Sequence, residues 1–449
     1  MKAYRILSVI PALAILLGGC GSQMTGSHNE TGSTTSLQNA GGSHAASGDV
    51  PATREIVEDV ELVIWHTLTD HHQATMEKII ADFNASQDRI TVIAQAQPYQ
   101  DFDSKLMQAV RNGVGPDLVR TFPSNVVNYA AEDLIVDFAP YINDPGIGMP
   151  DFKGNIPEGI YEEITQWGDD QIYLLPTQIT GEIFFYNKTL YDKLGLKAPK
   201  TWTELEENSR IIFEATGKPA FGADSAVDHY IDLIMQSGSP LIDAGAKKSA
   251  FNQEIGVEKL AWFARNVQDG IFRLVGEDQY FSNPFGSQAV ASYIGSSAGV
   301  QYVEGAVAGQ FEFATAPIPQ EGPVKFFPSW MNGFVAFKSD PAKERAAYEF
   351  YKFHAKPEVM AEWTIAFGAV PVFYDAIETA EYQEYMNSNI AIQALAPQLE
   401  YVGFIPSIPG VSSVRNHLQA AIEAAALGTK TPAQALDEAE AASNRDLKG

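Results

Sequence analysis

Gly295-Ser296-Ser297-Ala298-Gly299 has the Gly-x-Ser-x-Gly spacing of a nucleophile elbow, in which a serine on a tight strand-to-helix turn attacks a carbonyl. The apolar run Ala289–Ile294 precedes it, and His354 and His417 lie downstream, the chain order that a serine hydrolase needs. Against that chemistry, all five residues are small and common, and His354 sits among Tyr348, Phe350, Tyr351 and Lys352 in a helical pattern. His66, Asp70, His71 and His72 form a second constellation, with donors that suit zinc. Adjacent His71 and His72 point in different directions on a helix, however, and no second cluster completes four ligands. The HExxH, Walker and dinucleotide-binding motifs are absent. No catalysis, metal or cofactor is therefore expected, and the remaining loop residues are read as binding groups.

The elements that would position such groups begin with a βαβα pattern. Val60–Trp65 is a short buried strand. Met76, Ile79, Ile80 and Phe83 then recur at i, i+3, i+4 and i+7, the stripe of an amphipathic helix. Asp70 with Gln73 three residues later resembles a capping box for that helix, which gives Asp70 a structural reading beside a functional one. Ile90–Ala94 is a second strand, Phe102–Arg111 a helix closed by Asn112-Gly113, and Leu118–Thr121 a third strand. The alternation predicts an α/β fold with a mostly parallel sheet. Ligands bind such sheets outside the carboxyl ends of the strands, which selects three loops: 66–70, 97–101 and 120–124. Their candidates are His66, Thr67 and Asp70, then Tyr99, then Arg120, Phe122 and Ser124.

The first residues have a different character. Lys2 and Arg5 precede an apolar run, Ile6–Leu17, that ends in Gly18-Gly19-Cys20. The run is too short to cross a hydrocarbon layer of roughly 30 Å and reads as a secretory signal. Cys20 is the one cysteine of the chain, so no internal disulfide forms. Small residues just before it match the site where a thiol is lipidated and the signal then cleaved. Residues 1–19 are thus expected to be a signal peptide. Residues 20–57, rich in Gly, Ser, Thr and Asn, are expected to be a lipidated cysteine and its flexible tether. Loss of residues 1–19 removes Lys2 and Arg5 from 30 basic residues, leaving 28 against 56 acidic ones. Such a surface is a poor partner for nucleic acid and repels anionic headgroups, so any membrane attachment is through lipid alone. The remaining stretch of about 390 residues exceeds one core and predicts two lobes.

Several segments carry a resemblance. They are Trp65-His66, Gly115-Pro116-Asp117-Leu118-Val119, and Tyr186-Asn187-Lys188-Thr189-Leu190-Tyr191 followed by Pro199-Lys200-Thr201-Trp202. To these are added Trp363 with Gly368-Ala369-Val370-Pro371, and Gly428-Thr429-Lys430-Thr431-Pro432. Their order and spacing over residues 60–445 resemble the extracellular solute-binding proteins of carbohydrate ABC importers, in the branch that includes the glycerol-phosphate and maltose binders. The resemblance implies a two-lobed periplasmic-binding fold of the second type with its ligand cleft between the lobes. It places crossings near Thr177–Thr180, Ala316–Pro319 and Val370–Pro371, and hence lobes at 58–177 with 319–370 and at 178–318 with 371–449. It further implies a monomer outside the cytoplasm that binds a sugar, closes by hinge motion and engages the permease subunits of an importer.

A sugar site needs aromatic faces for the ring and polar groups for the hydroxyls. On the resemblance, Tyr99 and Thr180 fall at ligand contacts, Gln178 lies beside the latter, and Ser297 opens a helix whose N–H groups favour ligand oxygens. Phe285, nearby, has the bland reading of a core residue. Ser329-Trp330-Met331-Asn332-Gly333 occupies a ligand-facing loop into which this chain inserts Trp330, read as a stacking platform, with Asn332 beside it. Arg415 matches an arginine of the glycerol-phosphate branch and is expected near the start of the last long helix. Two departures, Ala369 in place of a tyrosine and Pro123 in place of an acidic contact, favour a neutral mono- or disaccharide over glycerol phosphate or another sugar phosphate.

Overall fold

Strand β1 (Val60–His66) turns Leu62 and Ile64 into the core and pairs in parallel with β2 (Ile90–Ala96) on one side and β3 (Leu118–Thr121) on the other. These residues belong to a computed structural model that describes residues 56, 58–99, 101–168 and 170–448; the expected signal segment, Cys20 and nearly all of the tether lie outside the described residues. Between β1 and β2 runs helix α1 (Asp70–Ala85), which buries Met76, Ile79, Ile80 and Phe83, the stripe read from the spacing. Its cap differs from expectation. Thr69 is the N-cap and makes no side-chain bond, Asp70 is held at φ 52°, and Gln73 Nε2 donates to Glu77 instead, so no capping box forms. Helix α2 (Phe102–Arg111) follows β2, and α3 (Pro123–Ala130) begins on a proline, which tolerates the first helical position because no partner awaits its missing N–H.

The first sheet is completed by β4 (Leu175–Thr180), reached after the short helix α4 (Glu158–Ile164), and by a strand from late in the chain. A second sheet begins with β5 (Glu182–Asn187) and β6 (Phe221–Ala223). Helix α5 (Ala226–Gln236) follows and is buried over nearly its whole surface. Strands β7 (Ser292–Ser296) and β8 (Phe313–Ala316) finish that sheet in the order β8-β5-β7-β6. Strand β9 (Trp330–Ala336) returns to the first sheet, whose order is β2-β1-β3-β9-β4. Because β9 is antiparallel to both β3 and β4, and β5 to both β7 and β8, each sheet is mixed, with one reversed strand among strands that otherwise run the same way. Opening residues that read βαβ show only the parallel part; the reversed strand arrives some 200 residues later.

The first change of sheet takes a single residue. Strand β4 pairs with β9 as far as Thr180, and β5 pairs with β7 from Glu182, so Gly181 is the link. A Cβ on Gly181 would come within 2.1 Å of the Phe327 ring, which excludes larger residues without a shift of that ring. Val370 exchanges two backbone hydrogen bonds of 2.9 Å with Ile179, tying a third segment to the edge of β4. The later helices α6 (Pro357–Phe367), α7 (Val411–Ala426) and α8 (Pro432–Asp446) flank these sheets. The architecture is α/β and two-lobed, one mixed sheet in each lobe. Among the described residues no helix is long and apolar enough to cross a membrane.

Candidate ligand-binding site

Two adjoining cavities open where the carboxyl ends of the first sheet face α5 and α7. The first, about 560 Å³, is lined from one lobe by Phe122, Pro123 and Ser124 at the start of α3 and by Ser329, Trp330 and Met331 at the start of β9. Asp228 of α5 and Ser412, Arg415 and Asn416 of α7 line it from the other. The second, about 390 Å³, shares Phe122 and Ser124 and adds Thr67, Tyr99, Arg120 and Asn332. Both volumes suit a small ligand, for which pockets of about 300–1,000 Å³ are usual.

The charged groups of the first cavity answer one another. Arg415 donates from its two terminal nitrogens to the two Asp228 oxygens at 2.7 and 2.9 Å, a bidentate pair. Burial acts to lower the guanidinium pKa, but the Asp228 charge and hydrogen bonds, with Glu182 beyond, raise it overall. Glu182 and Asp232 are wholly buried behind this pair, and no donor reaches them. Burial, reinforced by neighbouring carboxylates, raises both pKa values well above the carboxylate range and favours their neutral forms. Glu163 of α4 also lines the cavity. It is 5% exposed, its Oε2 has no partner, and burial pushes its pKa up to about 8, opposed more weakly by the Ser329 hydroxyl. The ion pair of Arg415 and Asp228 is thus balanced within the protein, and burial favours the neutral form of Glu163.

The second cavity differs. Arg120, on β3, lies over the rings of Trp363 and Phe367, its guanidinium carbon 5.8 and 5.1 Å from their centroids. Among the described residues it makes no ion pair and no side-chain hydrogen bond, and its buried Nε has no partner. Burial pushes its pKa down to about 10. Burial is the first cause lowering the pKa of the nearby His66, His72 and His354; the Arg120 charge adds to each, with Glu77 opposing at His66 and His71 also lowering His72.

Seven of the residues singled out in the sequence line these cavities besides Arg120: Thr67, Tyr99, Phe122, Ser124, Trp330, Asn332 and Arg415. Others stand behind them or apart. His66 is buried, its Nδ1 accepting from the Leu68 N–H at 3.1 Å. Gln178 Oε1 accepts from Trp363 Nε1 at 2.7 Å, and Thr180 Oγ1 donates to the Trp330 carbonyl at 3.3 Å, so both brace the cleft wall. Asp70 is exposed at the helix start. Ser297 opens a single 3₁₀ turn before the helix at Val300–Val307. Its N–H donates to the Gly181 carbonyl at 2.9 Å and the next one to Ser296 Oγ at 3.3 Å, so these two donors are used within the protein, while the buried Ser297 Oγ has no partner. No histidine bonds Ser297 Oγ among the described residues: His354 is buried in an aromatic cluster of the other sheet's lobe, and His417 pairs with Asp446. Phe285 is core. Arg415 stands in the second turn of α7, the penultimate helix, with Asp228 offsetting its unfavourable place near a helix start. Among the described residues no cluster of His, Cys, Asp and Glu is arranged for a metal ion.

Sequence reading missed Glu163, Asp228 and the buried Glu182–Asp232 pair. One signal was available: Asp228 and Asp232 stand four apart in the largely apolar run Ala226–Met235, so one helix face must bury two carboxyls.

Comparison with known proteins agrees with this architecture. Residues 78–389 match the model of the bacterial extracellular solute-binding proteins. The sn-glycerol-3-phosphate-binding periplasmic protein UgpB of Salmonella typhimurium is 23% identical over 409 residues, covering 86% of this chain and 92% of that relative. Its counterpart from Yersinia pseudotuberculosis is 22% identical over 403 residues, covering 84% and 90%. Among solved structures, the cyclic α-maltosyl-1,6-maltose binding protein of Arthrobacter globiformis superposes with a TM-score of 0.75 at 23% identity, over 87% of this chain and 99% of that one. The sugar-binding protein MalE of Xanthomonas citri gives 0.76 at 18% identity, over 86% and 97%. At these identities the structural likeness establishes the fold.

Proposed function

This chain belongs to the bacterial extracellular solute-binding protein family, and we propose that it captures a sugar in the cleft between its lobes and presents it to the permease subunits of an ABC importer. The observation that carries this reading is the first cavity: about 560 Å³, with aromatic and hydroxyl-bearing residues in its walls and its arginine already paired with Asp228. Trp330 and Phe122 offer ring faces. Ser124, Ser407, Ser412 and Asn416 offer hydroxyl and amide partners, and protonated Glu163 both donates and accepts. The glycerol-phosphate specificity named for the relatives is not transferred, because Arg415, which matches their arginine, has both its terminal nitrogens on Asp228. A dianionic phosphate there would have to displace a carboxylate from a bidentate pair.

Capture works by population shift. Lobes joined by a few chain crossings open and close about them, and a ligand that touches both walls favours the closed form by its extra contacts there. We place the crossings at Gly181, within 317–329 and at 370–371, so that the lobes comprise 58–180 with 330–370 and 182–316 with 371–449. Cys20 is the lipid attachment site, the chain works as a monomer outside the cytoplasm, and its role is binding rather than catalysis.

A thermal-shift screen of the chain against mono- and disaccharides, polyols, sugar phosphates and amino acids tests this. A sugar at 100 times its Kd adds about 2.7 kcal/mol to stability, which is readily seen. Shifts confined to glycerol phosphate would replace the reading by the glycerol-phosphate one, and shifts confined to amino acids would remove the sugar.

A further inference from the structure

Buried cations in proteins are paired, because desolvating a charge without a partner is among the largest single costs a fold can carry. Arg120, partly exposed at the mouth of the cleft but with its Nε buried, has no such partner among the described residues. The rings of Trp363 and Phe367 hold it from one side by cation–π attraction, which compensates only part of the loss. Its own donors meet no acceptor among the described residues. Asp101 and Asp103 line the same cavity, yet neither pairs with it; Asp103 accepts from Asn125 Nδ2 at 3.3 Å. Thr67 and Ser124, which carry hydroxyls, line the same cavity, and Ser124 belongs to both cavities. A planar guanidinium with unused N–H groups, beside hydroxyls and against a concave wall, is the donor set that a carboxylate or phosphate fits with two parallel hydrogen bonds.

We propose that Arg120 is the anion-binding group of the cleft and that the sugar taken up carries an oxyanion, a carboxylate or a phosphate, which seats against it while the ring lies in the first cavity beyond Phe122. This rests on the sugar-capture reading for the scaffold that bears the anion, but not for the anion site itself. The two arginines of the cleft thereby divide their work: Arg415 is neutralised by the protein, whereas Arg120 is left for the ligand to neutralise.

The test uses the whole chain and two probes. Sodium sulfate and sodium chloride at equal ionic strength are compared in thermal shift, for the wild type and Arg120→Gln. Sulfate strengthens any fold somewhat by exclusion from its surface, so the quantity read is a saturable increment present in the wild type and lost in the variant. A hexuronate, a hexose phosphate and the parent hexose are then titrated by calorimetry. The charged sugar that binds is expected to do so at least tenfold more tightly than its parent, and Arg120→Gln to erase that ratio. Which of the two charged sugars binds tells carboxylate from phosphate. A wild type without the sulfate increment, or a parent hexose bound as tightly as its acid, overturns the proposal while leaving sugar capture intact. A sulfate increment with silence from every sugar upholds the anion site and overturns sugar capture. If Arg120→Gln does not fold, the wild type decides: displacement of sulfate by the charged sugar and not by the hexose supports the site, and displacement by both overturns it.

Discussion

The cleft holds two arginines in opposite circumstances. Arg415 reaches across from α7 to a carboxylate on α5 and is satisfied before any ligand arrives. Arg120 is carried on a central strand, stacked on aromatic rings, and satisfied by nothing the described chain supplies. Residue type alone does not say which of two such groups binds a ligand; the presence of a counter-charge does. A paired guanidinium is already neutral as seen from the cavity, and it serves chiefly to fix α5 against α7. An unpaired one raises the energy of the empty site, and a ligand anion recovers that energy on binding.

Asp228→Asn attacks the contrast most directly, because it should make Arg415 resemble Arg120. Breaking a buried pair by removing one partner usually costs about 3–5 kcal/mol. Here about 2 kcal/mol is expected in urea unfolding, because 37% of the Arg415 side chain remains in solvent to hydrate the charge. The freed guanidinium should also give a second sulfate increment that survives when Arg120→Gln is added. Unchanged stability together with an unchanged sulfate response would mean that Arg415 was never held by Asp228 in solution.

Trp330→Ala probes the part of the cleft that both arginines border. If Trp330 stacks on the sugar ring, affinity falls by about 1.5 kcal/mol, roughly tenfold. Charged and neutral sugars should lose the same factor, since the ring face is indifferent to the substituent. A loss confined to the charged sugar would instead make Trp330 a support for Arg120.

The first lobe was largely legible in the sequence and the second was not. Strand β3 and helix α2 have the limits that spacing and turn residues indicate, and the buried stripe of α1 is the one that periodicity selects. Loops at the carboxyl ends of β1, β2 and β3 do line the second cavity, because a short strand leaves its next few residues nowhere else to go. The residues placed in the wall or apart from the cavities share a cause. Gln178 and Thr180 were polar and well placed along the chain, but β4 turns them into the wall, where Trp363 and the Trp330 backbone use them. Ser297 had the right neighbours, but Gly181 takes its N–H. Asp228 meets Arg415 across 187 residues of chain, and no local pattern encodes such a pair. Partnership, the property that separates the two arginines, is therefore the one that sequence reading reaches last.

Glu163 offers the smallest effect and a finer test of neutrality. Its folded-state pKa of about 8 lies above the ordinary 4.5, so the folded chain binds more protons than the unfolded one between those values. The stability it contributes is complete below about pH 4.5 and is lost as pH rises through about 8. Glu163→Gln keeps the shape of the protonated acid and cannot ionise. Between pH 6 and pH 7 the wild type should therefore lose about 1 kcal/mol more than the variant, somewhat below the limit of about 1.4 kcal/mol per unit for a single group. Asp224, Glu182 and Asp232 also have raised pKa values from burial, but they persist in both proteins and cancel in the difference. Unfolding in urea at several pH values measures that difference. Parallel stability curves for the two proteins would show Glu163 ionised at neutral pH. The first cavity would then be anionic, and an acidic sugar would have still more reason to place its charge against Arg120.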